Sequence, residues 1–110
     1  MISEKKEKYT LLRDEKDDAK KFADFIGRIH HQFENENLVI DLLKYGQLKL
    51  DELLAYLDIS NHHRSLKKSF IIVNDTINID DVPEELNVVP TLIEAEDMVN
   101  MEELERDLGF

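Results

Sequence analysis

Two short apolar runs do most to limit what this chain can fold into. Leu38-Val39-Ile40-Asp41-Leu42-Leu43 and Phe70-Ile71-Ile72-Val73 are rich in branched residues and nearly free of polar alternation. Runs this brief read as strands covered on both faces. Between them Leu50, Leu53, Leu54 and Leu57 recur at helical spacing. Strand, helix and strand, with both strands buried, make a parallel crossover unit, which is right-handed in nearly all cases. An α/β sheet domain with helices packed on it is the expected architecture.

The rest of the chain extends this unit. Residues 1–8 are a charged stretch that reads as a flexible lead-in, followed by Tyr9-Thr10-Leu11-Leu12, a short β-prone segment. Ala19, Phe22, Ile26, Ile29 and Phe33 then mark one helical face, predicting a helix from about Asp17 to Phe33 capped by Asp17 or Asp18. Asp81 to Leu86 reads as a helix of one to two turns with Asp81 as its cap and Pro83 in its first turn. Asn87-Val88-Val89-Pro90 is a short strand, its proline favouring an edge or a strand end. Thr91 and Glu94 form a capping box that opens a last helix with the stripe Leu92, Ala95, Met98 or Val99, and Leu104; Gly109 is placed to stop it. About four strands and about four helices in a single domain over 9–110 are expected, a size suited to one core.

Charge is distributed unevenly. Met1 to Asn74 holds 13 acidic and 13 basic side chains, whereas Asp75 to Phe110 holds 12 acidic residues and only Arg106, so the whole net charge of -11 lies in the last third. That balance opposes direct contact with nucleic acid or an anionic membrane, both of which need a positive field. Glu102, Glu103 and Glu105, with Asp107, fit an exposed acidic helix face. The chain has no cysteine, which excludes disulfides and thiolate chemistry. No signal-peptide core stands at Met1–Lys8, and a cytoplasmic protein is expected.

No motif asks for an enzyme, and no cofactor is implied. Gly27, Gly46 and Gly109 are isolated, so no phosphate-cradling loop is present. Ser3, Ser60, Ser65 and Ser69 have no base at motif spacing. The histidines fall in two adjacent pairs, His30-His31 and His62-His63. Neighbours on a helix point about 100° apart, so neither pair chelates alone as an i, i+4 pair would, and only a meeting of the two pairs in space would change that. They read as polar positions near helix ends, and no metal site is expected.

Four segments in order resemble one family: Asn37 to Leu42, with its strand ending in Asp41-Leu42; the helix from Asp51; the strand Phe70 to Val73; and Asn87-Val88-Val89-Pro90-Thr91-Leu92-Ile93-Glu94-Ala95. Together they resemble the STAS domain of sulfate transporter tails and anti-sigma factor antagonists, over roughly Tyr9 to Leu108. The resemblance implies a non-catalytic interaction domain whose protein partner is an anti-sigma factor or a kinase-like regulator, acting as a monomer or weak dimer. The family's phosphoacceptor hydroxyl falls here on Asp51, within Lys49-Leu50-Asp51-Glu52-Leu53, and its glycine on Glu52. The phosphorylation switch is therefore not carried over. Either Asp51 and Glu52 supply permanent negative charge to a constitutive binding module, or they are caps of an ordinary helix. The family also starts with two strands where only one is legible here, so the sheet is expected to be one strand short.

The expected partner surface is the loop and helix start 45–54, with Tyr45, Lys49, Leu50, Asp51, Glu52 and Leu53 as its binding residues. A second reading makes the chain an acidic adaptor or nucleic-acid mimic that binds a basic protein through its C-terminal helix.

Overall fold

A computed structural model describes residues 1–109. It is a mixed α/β fold built on a five-stranded sheet, β1 (Ile2–Lys5), β2 (Thr10–Arg13), β3 (Leu38–Asp41), β4 (Phe70–Val73) and β5 (Asn87–Val89), arranged in sequence order. β1 runs antiparallel to β2, and the other neighbours are parallel. The helices are α1 (Ala19–Ile29), α2 (Leu50–Leu54), α3 (Leu57–Ser65) and α4 (Leu92–Asp107), with a 3-10 turn at His30–Phe33 extending α1. None of them is long and apolar enough to cross a membrane.

Register explains the core. Leu12, Ile40, Ile72 and Val88 lie side by side in one row; Leu11, Val39, Ile71 and Asn87 form the next. Because side chains alternate across a pleated strand, the first row joins α1, α2 and α3 on one face. The second row, with Val73 and Val89, meets Ala95 and Val99 of α4 on the other. Strands added successively in one direction by right-handed crossovers leave their connections on one face. Only the helix after the last strand is free to return over the opposite face.

Several expectations are corrected. The supposed lead-in contains β1, so the sheet is not short of its first strand. Ile2 to Lys5 is exposed throughout and gives no burial pattern; it is held by the backbone ladder to β2, with charges suited to an edge. The stripe through Leu57 is two helices rather than one, broken at Ala55–Tyr56, where Tyr56 turns wholly into the core and its hydroxyl donates to the Ala19 carbonyl at 2.7 Å. Asp81 ends a 3-10 turn, Ile79–Asp81, that is capped by Asn78. Asp18 is the N-cap of α1 and Thr91 that of α4, and Gly109 beyond α4 takes φ +81.

The α4 stripe differs beyond Val99. Leu104 is 59% exposed, and the inward positions are Glu102, Glu103 and Arg106 instead. The sheet beneath that half of the helix ends in polar groups, chiefly Asn37. Buried Asn37 donates from Nδ2 to the Lys8 carbonyl at 3.0 Å and to Glu103 Oε1 at 2.7 Å. Its Oδ1 accepts from the Ser69 backbone N–H at 2.8 Å and from Arg106 at 3.2 Å. One amide thus satisfies groups before β2, before β4 and on α4.

Asn37→Ala is expected to lower stability by about 2–4 kcal/mol in urea denaturation followed by circular dichroism, because several buried polar groups lose their partner together. Ser60→Ala is expected to do the reverse. Ser60 Oγ is wholly buried without a hydrogen-bond partner, and its removal should stabilise by about 1 kcal/mol. A destabilised Ser60→Ala variant would contradict that account of the site.

Candidate functional site

The segment after β3 is built on buried anchors. Asp41 Oδ1 accepts the Leu43 N–H at 3.0 Å and turns the chain into a 3-10 turn, Leu43–Tyr45. Gly46 follows at φ +55, a conformation that side-chain-bearing residues rarely adopt. Leu48 then plugs into the core, and its N–H donates to Thr76 Oγ1 at 2.9 Å. Thr76 is held in turn by Asn74, whose Oδ1 accepts from the Thr76 N–H and hydroxyl and from the Ile77 N–H. Asn74 Nδ2 donates back to the Leu42 carbonyl at 3.0 Å, tying the ends of β3 and β4 together.

On this frame α2 begins at the C-terminal edge of the parallel strands, where open α/β sheets gather their binding loops. Lys49 is the N-cap residue, and its N–H donates to Glu52 Oε1 at 2.9 Å. Glu52 is therefore a cap, half-buried in that role. Asp51 is not a cap. Its Oδ2 lies 2.7 Å from Lys20 Nζ on α1, and that ammonium holds the carboxyl below its usual range. Both partners are solvent-exposed, so the pair adds little to stability.

The six residues expected to meet a partner separate here. Lys49, Leu50 and Asp51 are exposed, and so is Leu54 at the end of the expected segment; Leu50 and Leu54 are each 39% exposed. Tyr45 is half-buried, and its hydroxyl donates to Asp14 Oδ2 at 2.6 Å; burial and that carboxylate push its ionisation far up. Leu53 is corrected out of the surface, since it is wholly enclosed in the core. In the acidic C-terminal set, Glu102 accepts from Asn87 Nδ2 at 3.1 Å and Glu103 from Asn37 at 2.7 Å, leaving Glu105 as the exposed member. The face expected to be solvated thus directs two of its carboxylates at the sheet.

The histidine pairs do meet. α1 and α3 lie together on the same sheet face, and His30 Nε2 is 2.7 Å from His63 Nδ1. His63 Nε2 is 2.7 Å from the Glu36 carbonyl, which can only accept, so His63 donates from Nε2 and receives His30 Nε2–H at Nδ1. Both rings are buried, unlike the polar helix-end positions expected, and burial pushes both imidazoles toward the neutral form. A ring nitrogen of His30, one of His62 and a Glu34 carboxylate oxygen lie within 4.8 Å of one another. Adjacent pairs 32 residues apart gave the only sequence signal of this meeting.

Compared with known proteins, the chain matches no protein-family model, and no curated protein matches it.

Burial, opposed in part by the Glu36 hydrogen bond, lowers the His63 imidazole from 6.5 to about 4. The unfolded chain binds this proton more readily, so the contribution is fully present above about pH 6.5 and is lost as pH falls toward 4. Chelator-treated protein is expected to lose up to about 3 kcal/mol of stability across that window through this group. Urea midpoints measured from pH 7.5 to 4.5 check it. His63→Gln should flatten the profile, and an unchanged profile would assign the loss to other groups.

Proposed function

We propose that this chain is a non-catalytic, STAS-like interaction domain, related in kind to anti-sigma factor antagonists, which binds a regulatory protein through Lys49, Leu50, Asp51 and Leu54. The observation that carries this reading is the exposed pair Leu50 and Leu54, one helical turn apart, flanked by Lys49 and Asp51. Two apolar side chains beside charged groups suit a small protein contact, in which apolar burial gives affinity and charge fixes the register. Rigid support from Leu48, Leu53 and Asn74 means that little order has to be gained on binding.

An anti-sigma factor or a kinase-like regulator in the cytoplasm is the partner this reading implies. The domain binds without a Ser/Thr switch, because Asp51 stands at the acceptor position and is already paired with Lys20. The acidic-adaptor alternative has weaker support, since Glu102 and Glu103 are engaged inside the fold.

Affinity capture compared by quantitative mass spectrometry tests the surface. A partner enriched by the wild type is expected to fall at least about tenfold with Leu50→Asp/Leu54→Asp, a loss near 1.4 kcal/mol, and to persist with Glu105→Gln. Equal enrichment by both variants would overturn the surface assignment, whereas selective loss with Glu105→Gln and with added salt would favour the acidic face. Protein isolated from cells should carry no phosphate between residues 45 and 54. A phosphopeptide there would restore a switch.

A further inference from the structure

We propose that His30, Glu34 and His62 form a binding site for one divalent cation of the zinc class, clamping the end of α1 to α3. The three side chains converge from two elements: His30 opens the 3-10 turn after α1, Glu34 closes it, and His62 lies on α3. The 3-10 turn with its Glu34 cap holds His30 and Glu34 at the mouth of one cleft, with the two ligand atoms within 4.8 Å of each other. They line an open cleft of about 380 Å³ together with His62 and Asp58.

The second observation is the state of His30. The chain of hydrogen bonds through His63 to the Glu36 carbonyl places a proton on His30 Nε2 and leaves Nδ1 with its lone pair. Metal-ligating histidines characteristically donate their other ring N–H in this manner, which fixes both the tautomer and the ring orientation. Nδ1 is not sealed in the core, because Ser60 Oγ is the sole buried side-chain polar atom without a partner among the described residues.

Ligand type and reach agree with the assignment. Two imidazoles and one carboxylate suit zinc and its first-row neighbours and disfavour calcium or magnesium, which take oxygen ligands. Bonds of about 2.0–2.1 Å in a tetrahedron set donors about 3.3 Å apart. The present donors lie within 4.8 Å, and Glu34 and His62 are exposed side chains free to rotate inward around the fixed His30. The fourth position falls to water or to Asp58, one helical turn before His62.

Zinc chloride alone, titrated into untagged, chelator-treated full-length protein at neutral pH, is the test. Calorimetry should show one equivalent bound, with a rise in melting temperature because the ion binds only the folded chain. Imidazole nitrogen NMR should shift His30 and His62. Glu34→Ala and His62→Ala alter exposed side chains and should keep the circular dichroism of the wild type while weakening zinc at least about tenfold; Glu105→Gln should leave it unchanged. His63→Gln should weaken zinc about 10- to 100-fold by releasing the His30 ring, as loss of an outer-shell partner does. Absence of both heat and melting shift at millimolar zinc would overturn the site. Binding that survives both Glu34→Ala and His62→Ala would overturn it equally.

Discussion

Burial of β3 and β4 from both sides is the condition that the rest of this fold has to meet. Leu38, Val39, Ile40 and all four residues of β4 are wholly enclosed, and a strand without a solvent face needs cover above and below. α1, α2 and α3 supply one cover and α4 the other. Each large side chain enclosed in this way contributes about 1.5–3 kcal/mol against the unfolded chain. The two strands are therefore the part that the remaining elements are arranged to protect.

Enclosing two strands leaves the polar groups at their ends to be satisfied, and an asparagine serves each end. Asn37 stands before β3 and joins Lys8, Ser69, Glu103 and Arg106. Asn74 stands after β4 and joins Leu42, Thr76 and Ile77. An amide suits both places because it donates and accepts at once, so two neighbouring strands are tied without a buried net charge. The Asn74 end also fixes the frame on which α2 is displayed. The structural polar network and the proposed interaction surface thus share a foundation.

The concentration of acid in the last third takes on a different meaning in three dimensions. α4 turns Ala95 and Val99 to the sheet in its first half and Glu102, Glu103 and Arg106 in its second. The change follows the sheet beneath, which is apolar at Val73 and Val89 and polar at Asn37 and Asn87. Arg106, the lone basic residue of that third, lies close to Asn37 and Ser69 rather than in solvent. Part of the charge is therefore structural, and the apolar residues Met101, Leu104 and Leu108 are displaced outward.

Local pattern determined much of this protein. The two apolar runs, the stripe of α1, the Thr91 cap and the stop at Gly109 all act within a few residues, where periodicity and backbone preference suffice. Exposed β1 left no such trace, since a strand held only by its backbone ladder has no burial alternation to read. Leu53 departs from expectation for a related reason: spacing marks a helical face without saying how wide the buried stripe will be. The surface at Lys49 to Leu54 was legible in position and not in which side chains point outward. The Lys20–Asp51 pair, the Asn37 network and the meeting of His30 with His62 and His63 join residues 29 to 69 positions apart. Only tertiary structure decided these, because hydrogen bonds and metal-ligand geometry depend on distances of a few ångströms that crossover connections create and a linear pattern does not encode.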